Sequence, residues 1–67
     1  MLNKIEMEEL RDRMNAIDQR IWKAFAMKKV VGVSAKTISE ALHVSVPRVY
    51  QLINQAEEII RQHREEE

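Results

Sequence analysis

Arg48, Gln51 and Asn54 follow one another at steps of three in a stretch rich in helix formers, so a helix would carry them on neighbouring turns of one flank. Their shared chemistry is paired hydrogen bonding. A guanidinium presents a planar fork of donors that fits O6 and N7 of guanine, and a carboxamide supplies the donor and acceptor that fit N7 and N6 of adenine. Val46 could touch a thymine methyl, Tyr50 could bond a phosphate, and Ser45 and Pro47 at the start of the same helix complete the candidate DNA-binding set. Lys28, Lys29, Lys36 and Thr37 are the candidate phosphate contacts, helped by the free N–H groups at a helix start after Ser34. Each of these side chains also suits an ordinary solvated helix surface, or, for Tyr50, packing on the first helix.

Catalysis finds no constellation. The chain has no cysteine and no glycine-rich phosphate loop, and neither His43 nor His63 lies near a hydroxyl nucleophile in sequence. Two histidines twenty residues apart are too few for a zinc site. His43 suits a turn, since histidine tolerates positive φ better than most residues. His63 lies on a polar helix end and is expected to face solvent. The acidic residues sit at spacings that pair them with basic ones, as in Glu9 with Arg13 and Glu57 or Glu58 with Arg61. No enzyme activity and no cofactor are expected.

The elements that must position the candidate readers are all helical. One glycine and one proline in 67 residues, with abundant Glu, Gln, Arg, Lys, Ile, Leu, Met and Ala, give an all-α chain with short connections. A single domain is expected over residues 1–67, with an N-terminal helical and dimerisation segment (1–29), a central motif (33–54) and a helical extension with an acidic tail (55–67). No long apolar run marks a signal peptide or membrane span, which leads us to expect a cytoplasmic protein with no membrane partner.

From Leu2 to about Met27 a helix is expected, possibly broken near Met14, where Asn15 and Asp18 offer caps. Met7, Leu10, Met14, Ile17, Ile21 and Ala24 recur at three and four, as in a heptad seam, and Trp22 and Phe25 widen the stripe. Lysines in the last turn, Val30-Val31 and the lone Gly32 end it. Ser34 caps a helix from Ala35 to about Leu42, in which Ser39 keeps a helix crossing close. Val44 plugs the turn, Ser45 caps the next helix, and Pro47 fits its first turn. Ile38 and Leu42 on one helix, and Val49, Leu52 and Ile53 on the next, then face each other, the pattern of a helix-turn-helix. The second helix should run on through Ala56, Ile59 and Ile60 to about His63. Its stripe needs either the first helix or a second chain.

A chain this short buries a small share of its surface, and oligomerisation is the staple open to it. The expected homodimer uses Met7, Leu10, Met14, Ile59 and Ile60. Net charge is zero, split between nine basic and six acidic residues over 1–54 and two basic and five acidic over 55–67. The reading surface is therefore mildly basic, and a shallow salt dependence is expected.

The run Ser45-Val-Pro-Arg-Val-Tyr-Gln-Leu-Ile-Asn-Gln-Ala56, followed by Ile60-Arg61, resembles the recognition helix in region 4 of bacterial primary-type sigma factors, which reads Ser-x-x-Arg-Val-x-Gln-Ile and then Ala. Ile17-Asp-Gln-Arg-Ile-Trp-Lys-Ala-Phe25 is loosely similar to the helix preceding the motif there. The resemblance implies double-stranded promoter DNA as ligand, RNA polymerase as a further partner, and Arg48 and Gln51 at DNA-facing positions. Val46, Pro47 and Tyr50 differ from that family's charged or polar residues, and His43 stands at its turn glycine. The combined expectation is a small homodimeric transcriptional regulator of phage, plasmid or bacterial type. A protein–protein adaptor, binding RNA polymerase or a phage assembly partner with the motif as scaffold, is the alternative. A DNA-binding part of a larger assembly, such as a terminase, is a third.

Overall fold

The computed structural model describes residues 3–65. The expected helix start at Leu2 and the last acidic residues, Glu66 and Glu67, lie outside them. The described residues form α1 (Lys4–Ile17), α2 (Gln19–Phe25), a π-helical segment (Ala26–Val31), α3 (Ala35–Leu42) and α4 (Val46–Glu65), with no strand among them. The all-α class read from composition holds.

Local chemistry sets each boundary. Asn3 Oδ1 accepts from the Glu6 amide at 2.8 Å, and its Nδ2 donates to Glu6 Oε1 at 3.1 Å, which satisfies the opening of α1. The helix then breaks at Asp18, one turn beyond the expected position near Met14. Asp18 is extended (φ −162°, ψ 125°), and its Oδ1 accepts from the Arg20 amide at 2.9 Å, so one residue ends α1 and caps α2. Asn15 stays inside α1.

The α-helical hydrogen bonding that was expected to reach Met27 stops at Phe25. Lys28, Lys29, Val30 and Val31 lie in a wider turn, closed when the Gly32 and Val33 amides both donate to Met27 O at 2.9 and 2.8 Å. Gly32 takes φ 89°, a conformation open to glycine at little cost. Ser34 Oγ accepts from the Thr37 amide at 3.3 Å and Ser45 Oγ from the Arg48 amide at 3.2 Å, as the cap residues suggest. Between α3 and α4, His43 adopts φ 57°, ψ 45°, and Val44 packs on the core beneath the turn.

α4 is the spine. At 1.5 Å per residue its 20 residues span roughly 30 Å, nearly the full 35 Å long axis, and it packs on α1, α2 and α3. Its inward stripe is Val49, Leu52, Ile53, Ala56, Ile59 and His63. They meet Leu10 and Met14 of α1, Ile21 and Ala24 of α2, and Ala35 and Ile38 of α3 in one core.

Further expectations change. Leu10 and Met14, 1% and 0% exposed, and Ile59, also buried, are covered by this chain's own helices rather than left for a second copy. Leu10, Met14, Ile21 and Ala24 of the heptad seam therefore pack within the chain, because the break at Asp18 lets α1 fold back against α2 and α4, whereas Ile17, beside the break, is 67% exposed. Met7 and Ile60 are half-buried. His63, expected in solvent, is buried, since steps of three and four from Ile59 and Ala56 carry it onto the inward face. Among the expected surface ion pairs, Glu58 meets Arg61 at 2.7 Å, while Glu57 turns instead to Lys29 at 3.5 Å.

Candidate nucleic-acid interface

The first half of α4 is divided by its own periodicity. At about 100° per residue, Pro47, Tyr50, Gln51 and Asn54 fall within an arc of about 100° opposite the stripe of Val49, Leu52 and Ala56. All four are exposed. Val46 and Arg48 occupy the two shoulders of that arc. Val46 is at the margin of exposure and Arg48 is half-buried. Ser45, exposed, lies at the cap.

Arg48 is the most constrained of the candidate readers. Its Nη1 donates to Gln51 Oε1 at 3.3 Å, and its Nη2 lies 3.8 Å from Asp18 Oδ2. The side chains of Arg48 and Asp18 are 38% and 33% exposed, so the pair is open to water along one edge and worth little as a stabilising contact. The pair places a carboxylate beside the Arg48 fork. The fold brings Arg48 and Gln51 together, as expected for residues at i and i+3, and adds Asp18 from the junction of α1 and α2. Asp18 was foreseeable as a cap but not as a partner of Arg48, because thirty residues separate them.

The candidate phosphate contacts are less uniform. Lys36 and Thr37 are exposed in the first turn of α3, where the Thr37 hydroxyl accepts from Ser34 Oγ at 3.0 Å. Ser39 is half-buried and turns its hydroxyl back to Lys36 O at 2.7 Å, consistent with a packing role. Lys28 is half-buried in the π-helical segment, and Lys29 is engaged by Glu57. Lys29 would give up its pair with Glu57 to reach a phosphate.

Away from this face, an open apolar groove of about 240 Å³ lies between α1 and the α2–π-helical stretch, lined by Met7, Trp22, Ala26 and Val30 and edged by Lys4, Glu8 and Arg11. Trp22 rests against Phe25 with ring centroids 6.1 Å apart. Val30, in its lining, is exposed, as are Ile5 and Val31. Among the described residues no helix is long and apolar enough to cross a membrane. Compared with protein-family models, with curated proteins and with solved structures, the chain finds no match in any of the three.

Proposed function

We propose that this chain is a sequence-specific binder of double-stranded DNA, a small transcriptional regulator acting in the cytoplasm. In this reading α3, the turn at His43 and α4 work as a helix-turn-helix with the start of α4 in the major groove. The observation that carries it is the division of α4: Pro47, Tyr50, Gln51 and Asn54 project outward while Val49, Leu52 and Ala56 anchor the same turns in the core. Arg48 reads guanine, Gln51 and Asn54 read adenine, Val46 touches a thymine methyl, and Tyr50, Lys36 and Thr37 bond phosphates.

A homodimer belongs to this reading, since one module with so few cations binds weakly and two linked copies gain through effective concentration. With Leu10, Met14 and Ile59 spent on the core, the groove beside Trp22 is the surface for the second copy. Lys4, Glu8 and Arg11 alternate in sign along its edge, so two antiparallel copies of α1 set Glu8 opposite Arg11 twice, as an isologous interface requires. A stable interface needs about 800 Å² per partner. That is a modest share of this chain's 4627 Å² surface.

The groove also supports the second reading, an adaptor that seats an apolar helix of another protein such as RNA polymerase. Solution mass separates the two, because the adaptor reading leaves the purified chain monomeric. The DNA reading is tested by selecting duplexes from a random pool and measuring their binding by anisotropy at low salt. Enrichment of one sequence family, with a shallow salt dependence, supports it; no binding by the folded chain refutes it.

A further inference from the structure

We propose that Asp18 is a positioning residue for Arg48 and thereby sets base discrimination, an inference that rests on the DNA-binding reading. Asp18 is the single residue between α1 and α2. Its carboxylate divides its two oxygens between two tasks. Oδ1 accepts from the Arg20 amide at 2.9 Å, which ties the group to the backbone, and Oδ2 is then held 3.8 Å from Arg48 Nη2. The cap alone does not call for a charge, since asparagine or serine caps a helix about as well as aspartate. The charge has a use in the second task.

Arg48 is thus held from two sides, by Asp18 across the helix junction and by Gln51 one turn along α4. A guanidinium has five N–H groups. Gln51 takes one N–H of Nη1 and Asp18 approaches Nη2 as an ion pair, beyond hydrogen-bond distance, so the second N–H of Nη1, those of Nη2 and Nε–H remain for the bidentate approach to guanine. The fork can read a base without releasing either anchor. A side chain ordered before binding loses less rotamer freedom on binding, and that saving is realised at the base Arg48 fits. The same carboxylate repels nearby phosphates on any sequence, which weakens indiscriminate binding. Both effects widen the gap between the right duplex and the wrong ones.

The test uses the full chain with Asp18→Asn, which keeps an amide oxygen for the cap, and Asp18→Ser as a second variant with the same logic. Anisotropy titrations compare the selected duplex, its variants at the base whose identity ceases to matter in Arg48→Ala, and a random duplex. Discrimination at that base should fall about twofold to fivefold in both Asp18 variants, the range open to a surface ion pair worth at most about 1 kcal/mol. Binding to the random duplex should tighten. In an Arg48→Ala background, Asp18→Asn should leave discrimination at that base unchanged. Equal discrimination by the parent and the Asp18 variants overturns the positioning role, as does an equal change on every duplex. A parent chain that binds no duplex refutes the DNA reading itself, a different outcome.

Discussion

Met14→Ala separates a core residue from an interface residue. Met14 is fully enclosed by this chain's own helices, within the cluster that joins α1 to α2 and α4. Truncating a buried methionine costs about 2 to 5 kcal/mol, from the lost transfer energy and the cavity left behind. A domain of this size has roughly 3 to 10 kcal/mol of stability in all, so the variant should lose a large fraction of it. With an unfolding entropy of about 2.1 cal/mol/K per residue, the 67 residues give about 7 °C per kcal/mol, and a loss of about 3 kcal/mol lowers Tm by about 20 °C. Thermal circular dichroism over a hundredfold range of protein concentration is the assay, with mass in solution measured alongside. The difference in Tm between variant and parent should be the same throughout that range. A variant that melts like the parent while its solution mass falls would refute the intramolecular core and return Met14 to a dimer seam.

The remaining predictions are local. Ser34→Ala and Ser45→Ala each remove a side-chain acceptor from a first-turn amide, at Thr37 and Arg48 respectively. Each should cost about 1 kcal/mol in urea unfolding; no change for Ser45→Ala would mean that its cap is not formed in solution. His43 holds a left-handed backbone, so His43→Val should destabilise by roughly 1 to 2 kcal/mol. His43→Gly should be near neutral, because relief of that strain is offset by about 0.5 to 1 kcal/mol of added freedom in the unfolded chain. A tolerated His43→Val would show that the turn has a different geometry.

Residues that act on their immediate neighbours were the legible ones. Ser34 and Ser45 cap, Gly32 and His43 turn left-handed, and Ile38, Val49 and Leu52 face the core, because cap chemistry and helical period are short-range. The break in the first helix was visible only as a choice. Asn15 and Asp18 are both good caps, and the one used is the one whose second carboxylate oxygen also meets Arg48. Period alone names an apolar face without naming what covers it, which is why Leu10 and Met14 looked like an intermolecular seam. The polarity of His63 suggests solvent, whereas its register with Ala56 and Ile59 puts it on the buried face. The π-helical segment (Ala26–Val31) has no comparable mark, since the same lysines, valines and glycine also end an ordinary α-helix.

The claim that the outer face of α4 reads bases meets its most direct test in Arg48→Ala. Its affinity is measured against the selected duplex and all its single-base variants, beside the parent chain. The account predicts a loss of about 1 to 3 kcal/mol on the selected duplex and flattened preference at one base position, with the other positions keeping theirs. An equal loss on every duplex would make Arg48 a phosphate contact, and no loss at all would remove this face of α4 from recognition.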